Sequence, residues 1–196
     1  KSSTLNVAAY RGDLDKIKAA LKDGADINSK NSNKETLLYS AALEGRKDIV
    51  EFLIIQGADI NSKNSQAKTA LHAAAVGGHK DVVELLIAKG VDINVLSSMN
   101  QTPLYLAVSN KHKEAVQLLL EKGANLDIKD RQGRTSLQIA EKMGNTEIAE
   151  LLRKYEAKKD DGADQNTPQQ NKPSDPNGRP GVPGEGPAWQ SGFRRL

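Results

Sequence analysis

Three histidines, His72, His79 and His112, are the residues of this sequence that could most readily bind a metal or move a proton. A metal site would need them to converge with carboxylates. His79 and His112, however, stand 33 positions apart, each in front of a similar segment of charged and aliphatic residues. A repeated structural position explains this spacing better than a shared ligand, so we predict structural histidines and no metal site.

Short acidic loops offer a second possible chemistry. The segment Asp59-Ile60-Asn61 has the alternating oxygen ligands of a calcium loop, but it lacks the glycine and the closing glutamate at the required spacing. Asp and Asn side chains also bond to nearby backbone in turns. We therefore interpret this loop, and the similar loops elsewhere, as turns.

The familiar patterns of catalysis are missing from the sequence. It contains no cysteine, no phosphate-binding G-x-x-x-x-G-K-S/T loop, no G-x-S-x-G nucleophile turn and no H-E-x-x-H zinc motif. Serine, histidine and aspartate are present, but no set of them stands out as a catalytic group. We predict that the protein is not an enzyme and has no catalytic residues and no cofactor.

Charge and hydropathy argue against two classes of partner. The 28 basic and 25 acidic residues give a net charge of only +3, which is too little for a surface that follows a phosphate backbone. No run of apolar residues approaches the roughly 18 needed to cross a membrane. We expect a protein that binds neither nucleic acid nor membrane. We expect a cytoplasmic location, or delivery into a host cytoplasm if the Asn- and Lys-rich composition indicates a host-associated microbe.

A verbatim duplication sets the organisation of the chain. The nine residues GADINSKNS occupy positions 24–32 and return at 57–65. Aligned at a step of 33, the sequence forms five rows without insertion or deletion, which open at Ser3, Thr36, Thr69, Thr102 and Thr135. A strict period of this length is typical of stacked supersecondary units.

The third row shows how one unit is built. Thr69 precedes a run of small and aliphatic residues, and its hydroxyl is predicted to cap a first helix. Gly78 ends that helix, because glycine adopts the left-handed conformation at little cost. A second helix is predicted over 79–89, with Val and Leu at helical spacing and charged residues on its other side. Gly90 and an Asp-x-Asn turn then lead to the next unit.

These motifs resemble those of the ankyrin repeat family. The strongest matches are Thr69-Ala70-Leu71-His72-Ala73-Ala74 against the family's T-P-L-H-x-A, Thr102-Pro103-Leu104, Gly78-His79 and the Gly-Ala-Asp-Ile-Asn loops. The resemblance covers residues 3–157 and implies an all-α solenoid of five stacked helix-turn-helix units with protruding hairpin loops. The expected domain spans 1–157, with repeats at about 1–30, 31–63, 64–96, 97–129 and 130–157.

The hairpins depart from the family pattern at one position. The family usually has Asp-x-x-Gly before the threonine, and only the hairpin that begins at Asp130 keeps it. Lys34, Ala67 and Asn100 stand at the glycine position of the other hairpins, so those tips are expected to be less regular or specialised. Lys111 replaces the glycine after a first helix, and we expect it in the left-handed region.

The resemblance also implies a binding function. In the family, the hairpin tips and the exposed sides of the first helices form a concave groove that binds a protein or peptide. The positions carried over to this sequence predict these partner-binding residues: Tyr10, Arg11, Leu43, Val76, Leu96, Met99, Ser109, Asn110, Arg131, Arg134 and Met143. We therefore expect a non-catalytic interaction module in which an apolar strip buries surface and a basic end orients an acidic partner.

A different kind of sequence follows the repeats. Residues 158–196 contain six of the seven prolines, and such a segment cannot bury enough apolar surface to offset its ordering entropy. We predict a disordered tail or linker. Residues 179–186 resemble the short motif read by tankyrase-type ankyrin clusters, and the candidate docking residues of the tail are Arg179, Val182, Gly184, Trp189 and Phe193.

Two alternatives to groove binding stay open on the sequence alone. The tail could itself be the ligand, for its own groove, for a second copy or for another ankyrin domain, and binding to a second copy would make the protein self-associate. The repeats could instead be a spacer or an effector scaffold from a larger protein.

Overall fold

The computed structural model describes residues 2–163. Within this range it contains no strand and ten helices, which form five consecutive pairs. The helices are α1 Ser2–Arg11, α2 Leu14–Lys22, α3 Leu37–Leu43, α4 Lys47–Ile55, α5 Ala70–Gly77, α6 Lys80–Ala88, α7 Pro103–Ser109, α8 Lys113–Glu121, α9 Ser136–Lys142 and α10 Thr146–Ala163.

The five pairs stack in chain order. The first helix of each pair packs against the first helix of the next, from α1 through α3, α5 and α7 to α9. The second helices form another row, in which α4, α6, α8 and α10 pack in succession. The predicted all-α solenoid is therefore confirmed.

Side-chain size explains the two rows. The first helices place small residues in the core, such as Ala41, Ala42 and Ala74, which are completely buried and let neighbouring helices approach closely. The second helices place a leucine at the same position of four successive repeats, and all four are completely buried: Leu53, Leu86, Leu119 and Leu152. Each contributes about 1.5–3 kcal/mol relative to an exposed side chain, but only while the adjacent repeat is in place.

Threonine hydroxyls cap three of the first helices, α3, α7 and α9, as the sequence predicts. The hydroxyls of Thr36, Thr102 and Thr135 each accept a hydrogen bond from the backbone N–H three residues later, at 3.1–3.3 Å. The capping residues have extended backbone conformations. These bonds satisfy backbone donors that the first turn of a helix leaves free.

Charged side chains cover the end of the stack formed by the last repeat. Glu141 stands where the other four repeats have completely buried Ala or Val, and Arg153 stands where they have Leu or Ile. Arg153 Nη2 donates to Glu141 Oε1 at 2.6 Å. Charged residues at these two positions are what the last unit of a one-dimensional stack requires in order to face water.

The first repeat is altered in a similar way. Lys16 and Ala20 stand where the other repeats bury aliphatic residues, namely Ile, Val or Ala at the first position and Leu at the second. Lys16 is exposed and, together with Leu5 and Ala20, lines an open hollow at this end of the stack. Val7 is 45% exposed, although its counterparts in the other four repeats are buried.

Helix α10 is longer than the other helices and continues to Ala163. The sequence suggested an end of the repeat domain at 157, so the last helix continues past that position. No helix within residues 2–163 is both long and apolar enough to cross a membrane.

A close contact between a glycine and a histidine joins neighbouring repeats. His79 Nε2 donates to the carbonyl oxygen of Leu43 at 2.9 Å, across the junction between the second and third repeats. Gly45 has φ +66°, and a Cβ atom added there would lie 2.4 Å from His79 Nδ1. Gly78 stands in the same relation to His112, which donates to the carbonyl oxygen of Val76 at 2.8 Å. Glycine is needed here for both its backbone conformation and its lack of a side chain.

At the junction between the fourth and fifth repeats, both the glycine and the histidine of this contact are replaced. Lys111 replaces the glycine and has φ +61°, which confirms the predicted left-handed conformation. Asn145 stands where the preceding repeats have His79 and His112. Because an asparagine side chain is smaller than an imidazole, this junction has room for the Cβ of Lys111.

The first prediction tests this coupling with Gly45→Ala. We expect a loss of about 2–4 kcal/mol in the free energy of unfolding, from left-handed strain plus steric overlap with the His79 ring. In a His79→Asn background, which imitates the natural Lys111–Asn145 pair, the same change is expected to cost only about 1–2 kcal/mol of strain. Urea unfolding of the four proteins in this double-mutant cycle measures the difference. Equal costs in the two backgrounds would contradict the steric account.

Candidate binding surface

The three histidines all form structural hydrogen bonds. His72 Nδ1 accepts the backbone N–H of Thr69 at 3.1 Å, so its proton is on Nε2, which donates to the carbonyl oxygen of Gln101 in the next hairpin at 3.1 Å. His79 and His112 donate to the preceding repeats, as described above. Within the described residues, no group of three or more His, Asp or Glu side chains is placed to hold a metal. The predicted structural role of the histidines is confirmed.

The Asp-x-Asn loops are turns. Asp59 Oδ1 accepts the backbone N–H of Asn61 at 3.0 Å, and the loops that begin at Asp26 and Asp92 contain the same bond. Asn28 Oδ1 also accepts the backbone N–H of Asp59 in the next repeat, at 2.8 Å. The loop side chains are therefore used to hold their own turn and its neighbour.

Each hairpin tip is closed by one polar side chain at its first position. In the third hairpin, Ser97 Oγ accepts the backbone N–H groups of Met99 and Gln101, at 3.3 and 3.2 Å. The same two acceptor bonds, two and four residues ahead, occur in every hairpin between residues 31 and 134. The closing residues are Asn31, Asn64, Ser97 and Asp130.

The tips without glycine have the same conformation as the tip with it. Lys34, Ala67 and Asn100 have φ of +60°, +56° and +54°, and Gly133 has +75°. All four donate their backbone N–H to the carbonyl of the closing residue, at 2.9–3.0 Å. The expectation of less regular tips is therefore wrong. The hydrogen bonds made by the closing side chain and backbone hold a non-glycine residue in the left-handed region despite its modest cost.

Neighbouring tips are joined to one another through their backbones. Ser65 N–H donates to the carbonyl oxygen of Asn33 at 2.9 Å, and Ser98 N–H donates to that of Gln66 at 2.8 Å. Arg131 N–H donates to the carbonyl oxygen of Met99 at 3.1 Å. These three bonds, here called the tip ladder, fix the spacing of the four hairpins.

The predicted apolar residues differ in exposure. Leu96 and Met99 at the third tip are 40% and 45% exposed, and Tyr10 and Met143 at the ends of α1 and α9 are 51% and 42% exposed. Leu43 and Val76 are half-buried and pack against the core. Their apolar character therefore has a packing role in the repeats, which sequence reasoning did not assign to them.

The predicted polar residues are partly engaged within the molecule. Ser109 Oγ and Asn110 Nδ2 both donate to the carbonyl oxygen of Leu106, at 3.0 and 2.8 Å, and so cap the end of α7. Arg11 and Arg131 are exposed, at the end of α1 and at the fourth tip. These two guanidinium groups are the more accessible part of the predicted polar set.

Arg134 has a structural partner. Its Nε and Nη2 donate to Asp130 Oδ2 at 3.0 and 2.6 Å, and Tyr105 Oη donates to the same oxygen at 2.8 Å. Burial alone would raise the pKa of Asp130, but the hydrogen bonds from Arg134 and Tyr105 outweigh it and hold that pKa well below its usual value. Arg134 therefore stabilises the junction between the fourth and fifth repeats, and less of its side chain is available to a partner.

From the sequence, Lys30 is expected among the family's groove positions, but a row of lysines at the hairpins is not predicted. Lys30, Lys63 and Lys129 occupy the same position in the first, second and fourth hairpins, and all are exposed. Leu96 occupies this position in the third hairpin. The period of 33 would have revealed this row in the sequence, with Leu96 as its exception.

The tail positions Arg179, Val182, Gly184, Trp189 and Phe193 lie outside the described residues. The predicted tail motif and self-association through the tail stay predictions.

Stacked pairs of short helices joined by hairpins define a helical repeat protein, and comparison with known families makes the class specific. A family model described as ankyrin repeats in three copies matches residues 5–97 and again 89–166. The chain therefore belongs to the ankyrin-repeat family, whose members are generally protein–protein interaction modules. A comparison with the curated proteins gives no match.

The second prediction concerns His72 and pH. Burial lowers the pKa of His72 from 6.5 to about 4. The unfolded chain therefore binds more protons between these values, so this contribution to stability is fully present above about pH 6.5 and is lost as the pH falls towards 4. Between pH 7 and pH 5, we expect the wild type to lose about 2 kcal/mol more unfolding free energy than His72→Gln does.

Urea unfolding at the two pH values measures this difference. The carboxylates are common to both proteins, so their titration cancels in the comparison. An equal loss in the two proteins would contradict a neutral, buried His72.

Proposed function

We propose that the protein is a non-catalytic module that binds a protein or peptide along its hairpin tips and the exposed ends of its first helices. This proposal rests on the exposure of two apolar side chains at the third tip. Leu96 and Met99 are both at least 40% exposed there, in a segment whose neighbours at the same register are polar or charged. Burying two such side chains would favour association.

The tip ladder supports the same proposal. Met99 lies within it, since its carbonyl accepts the N–H of Arg131 at 3.1 Å, and Ser98 donates to Gln66. A surface whose backbone is already held in place loses little conformational entropy when a partner docks. Tyr10, Arg11, Arg131 and Met143 extend the proposed surface towards its two ends.

The third prediction tests this surface with Leu96→Glu combined with Met99→Glu. Peptides selected from a random library displayed on phage against the 196-residue chain should bind the double variant at least about tenfold more weakly, because two buried apolar contacts are lost. Helical content and melting temperature should not change, since both side chains are exposed.

The matched control is Ile55→Glu combined with Ala88→Glu. Both side chains are exposed and lie at the ends of the second helices α4 and α6, away from the tips and the first helices. The control protein should keep the wild-type affinity. If the Leu96/Met99 variant still binds the selected peptides at full strength, the proposed surface is wrong.

A further inference from the structure

We propose that the hairpin edge binds an extended acidic peptide with a single apolar anchor. This inference rests on the binding surface proposed above and specifies the chemistry of its partner. Such a peptide would need a surface with positive charge concentrated at the hairpins and one apolar side chain at a defined position among these charges. The distance between the apolar and the charged side chains would also have to be fixed.

Positive charge is concentrated at the hairpins. The chain as a whole has nearly balanced charge, but its four hairpin segments, 29–35, 62–68, 95–101 and 128–134, hold seven basic residues and two acidic ones. Both acids are engaged within their own hairpins, since Glu35 accepts from Asn31 Nδ2 at 2.9 Å and Asp130 is paired with Arg134. The basic residues are Lys30, Lys34, Lys63, Lys68, Lys129, Arg131 and Arg134.

The third hairpin interrupts this charge. Its seven residues, VLSSMNQ, include none that is charged, and Leu96 replaces the lysine found at the same position in the other hairpins. Leu96 is 40% exposed and is therefore available to a partner. Along this register the surface presents lysine, lysine, leucine and lysine, in the order of the repeats.

The distance between neighbouring repeats sets the distance between the peptide side chains that contact them. Packed helices lie about 8–10 Å apart. A peptide in the extended polyproline II conformation advances about 3.1 Å per residue and has three residues per turn, so that side chains three positions apart point to the same side. Two neighbouring hairpins therefore correspond to about three residues of an extended peptide running along the stack. A peptide whose apolar side chain contacts Leu96 would have carboxylates three positions before and after it, opposite Lys63 and Lys129.

The apolar interruption distinguishes a peptide from a phosphate polymer. Nucleic acid and polyphosphate gain affinity from an unbroken series of cations, and Leu96 and Met99 contribute nothing to that attraction. An acidic peptide uses both kinds of surface, because its carboxylates face lysines and its anchor buries apolar area. The lysine contacts are exposed, so binding should weaken as salt concentration rises.

The experiment uses fluorescein-labelled synthetic peptides and the full 196-residue chain. The central peptide has one leucine with a glutamate on each side, and two serines separate the leucine from each glutamate. In the spacing variants of this peptide, one or four serines stand in place of each pair of serines. In the anchor variant, alanine stands in place of the leucine. Fluorescence anisotropy should give the tightest binding for the two-serine peptide, by at least about threefold, since exposed ion pairs are individually weak.

Variants of the protein give a sharper test. Lys63→Gln with Lys129→Gln should weaken the two-serine peptide about fivefold, because two exposed charge pairs are lost. Leu96→Lys completes the lysine row and should reverse the preference, so that a peptide with glutamate in place of leucine binds it more tightly than it binds the wild type. The matched control, Lys47→Gln with Lys80→Gln, neutralises exposed lysines at the starts of α4 and α6 and should have no effect.

Several results would overturn the inference. These are an affinity that does not depend on spacing or anchor, equal loss in the control variant, or complete displacement of the peptide by polyphosphate or single-stranded DNA at matched charge. The peptides selected from the library distinguish a failure of this inference from a failure of the proposed function. Selected peptides that need Leu96 and Met99 but carry no carboxylates would refute the acidic partner and leave the binding surface standing.

Discussion

The contact between neighbouring repeats is the interaction on which the rest of the structure depends. Helices of seven to nine residues, such as α3 and α4, are too short to be stable alone in water. They persist because Leu53, Leu86 and Leu119 are completely buried between adjacent units. The close fit of Gly45 to His79, and of Gly78 to His112, belongs to the same contact. At the last junction the ring is absent, at Asn145, and Lys111 stands in place of the glycine. At the first junction, where Arg46 stands in place of a histidine, Gly12 is kept.

The surface follows from this stacking. Because each hairpin is closed by its own polar side chain and bonded to the next through the tip ladder, the positions of Leu96, Lys63 and Lys129 are set by the register of the repeats. Buried side chains of the first helices reinforce this arrangement, since His72 and Tyr105 each hydrogen-bond to the following hairpin. The tips therefore hold neighbouring repeats together. They are also the part of the described surface where exposed lysines flank the exposed apolar residue Leu96.

The repeat period was sufficient to predict the fold, the threonine caps, the left-handed glycines and the structural histidines. The period repeats the caps and the left-handed positions from unit to unit, and the causes of all these features lie within one unit or its direct neighbour. The roles of single side chains were harder to predict. The half-burial of Leu43 and Val76, and the use of Arg134 by Asp130 and Tyr105, depend on packing between residues that spacing alone does not specify. The regular tips at Lys34, Ala67 and Asn100 were also missed, because their conformation is imposed by a hydrogen-bond network and not by the residue type.

Native-state amide hydrogen exchange tests whether neighbouring tips hold one another in place. The backbone amides of Ser65, Ser98 and Arg131 donate to the preceding tip, whereas Ser32 has the same position in the first described hairpin, before which the described residues include no other tip. We expect measurable protection at the three ladder amides and exchange at Ser32 close to the rate of an unstructured peptide. Unprotected exchange at all four amides would contradict a preformed surface held together by the stack.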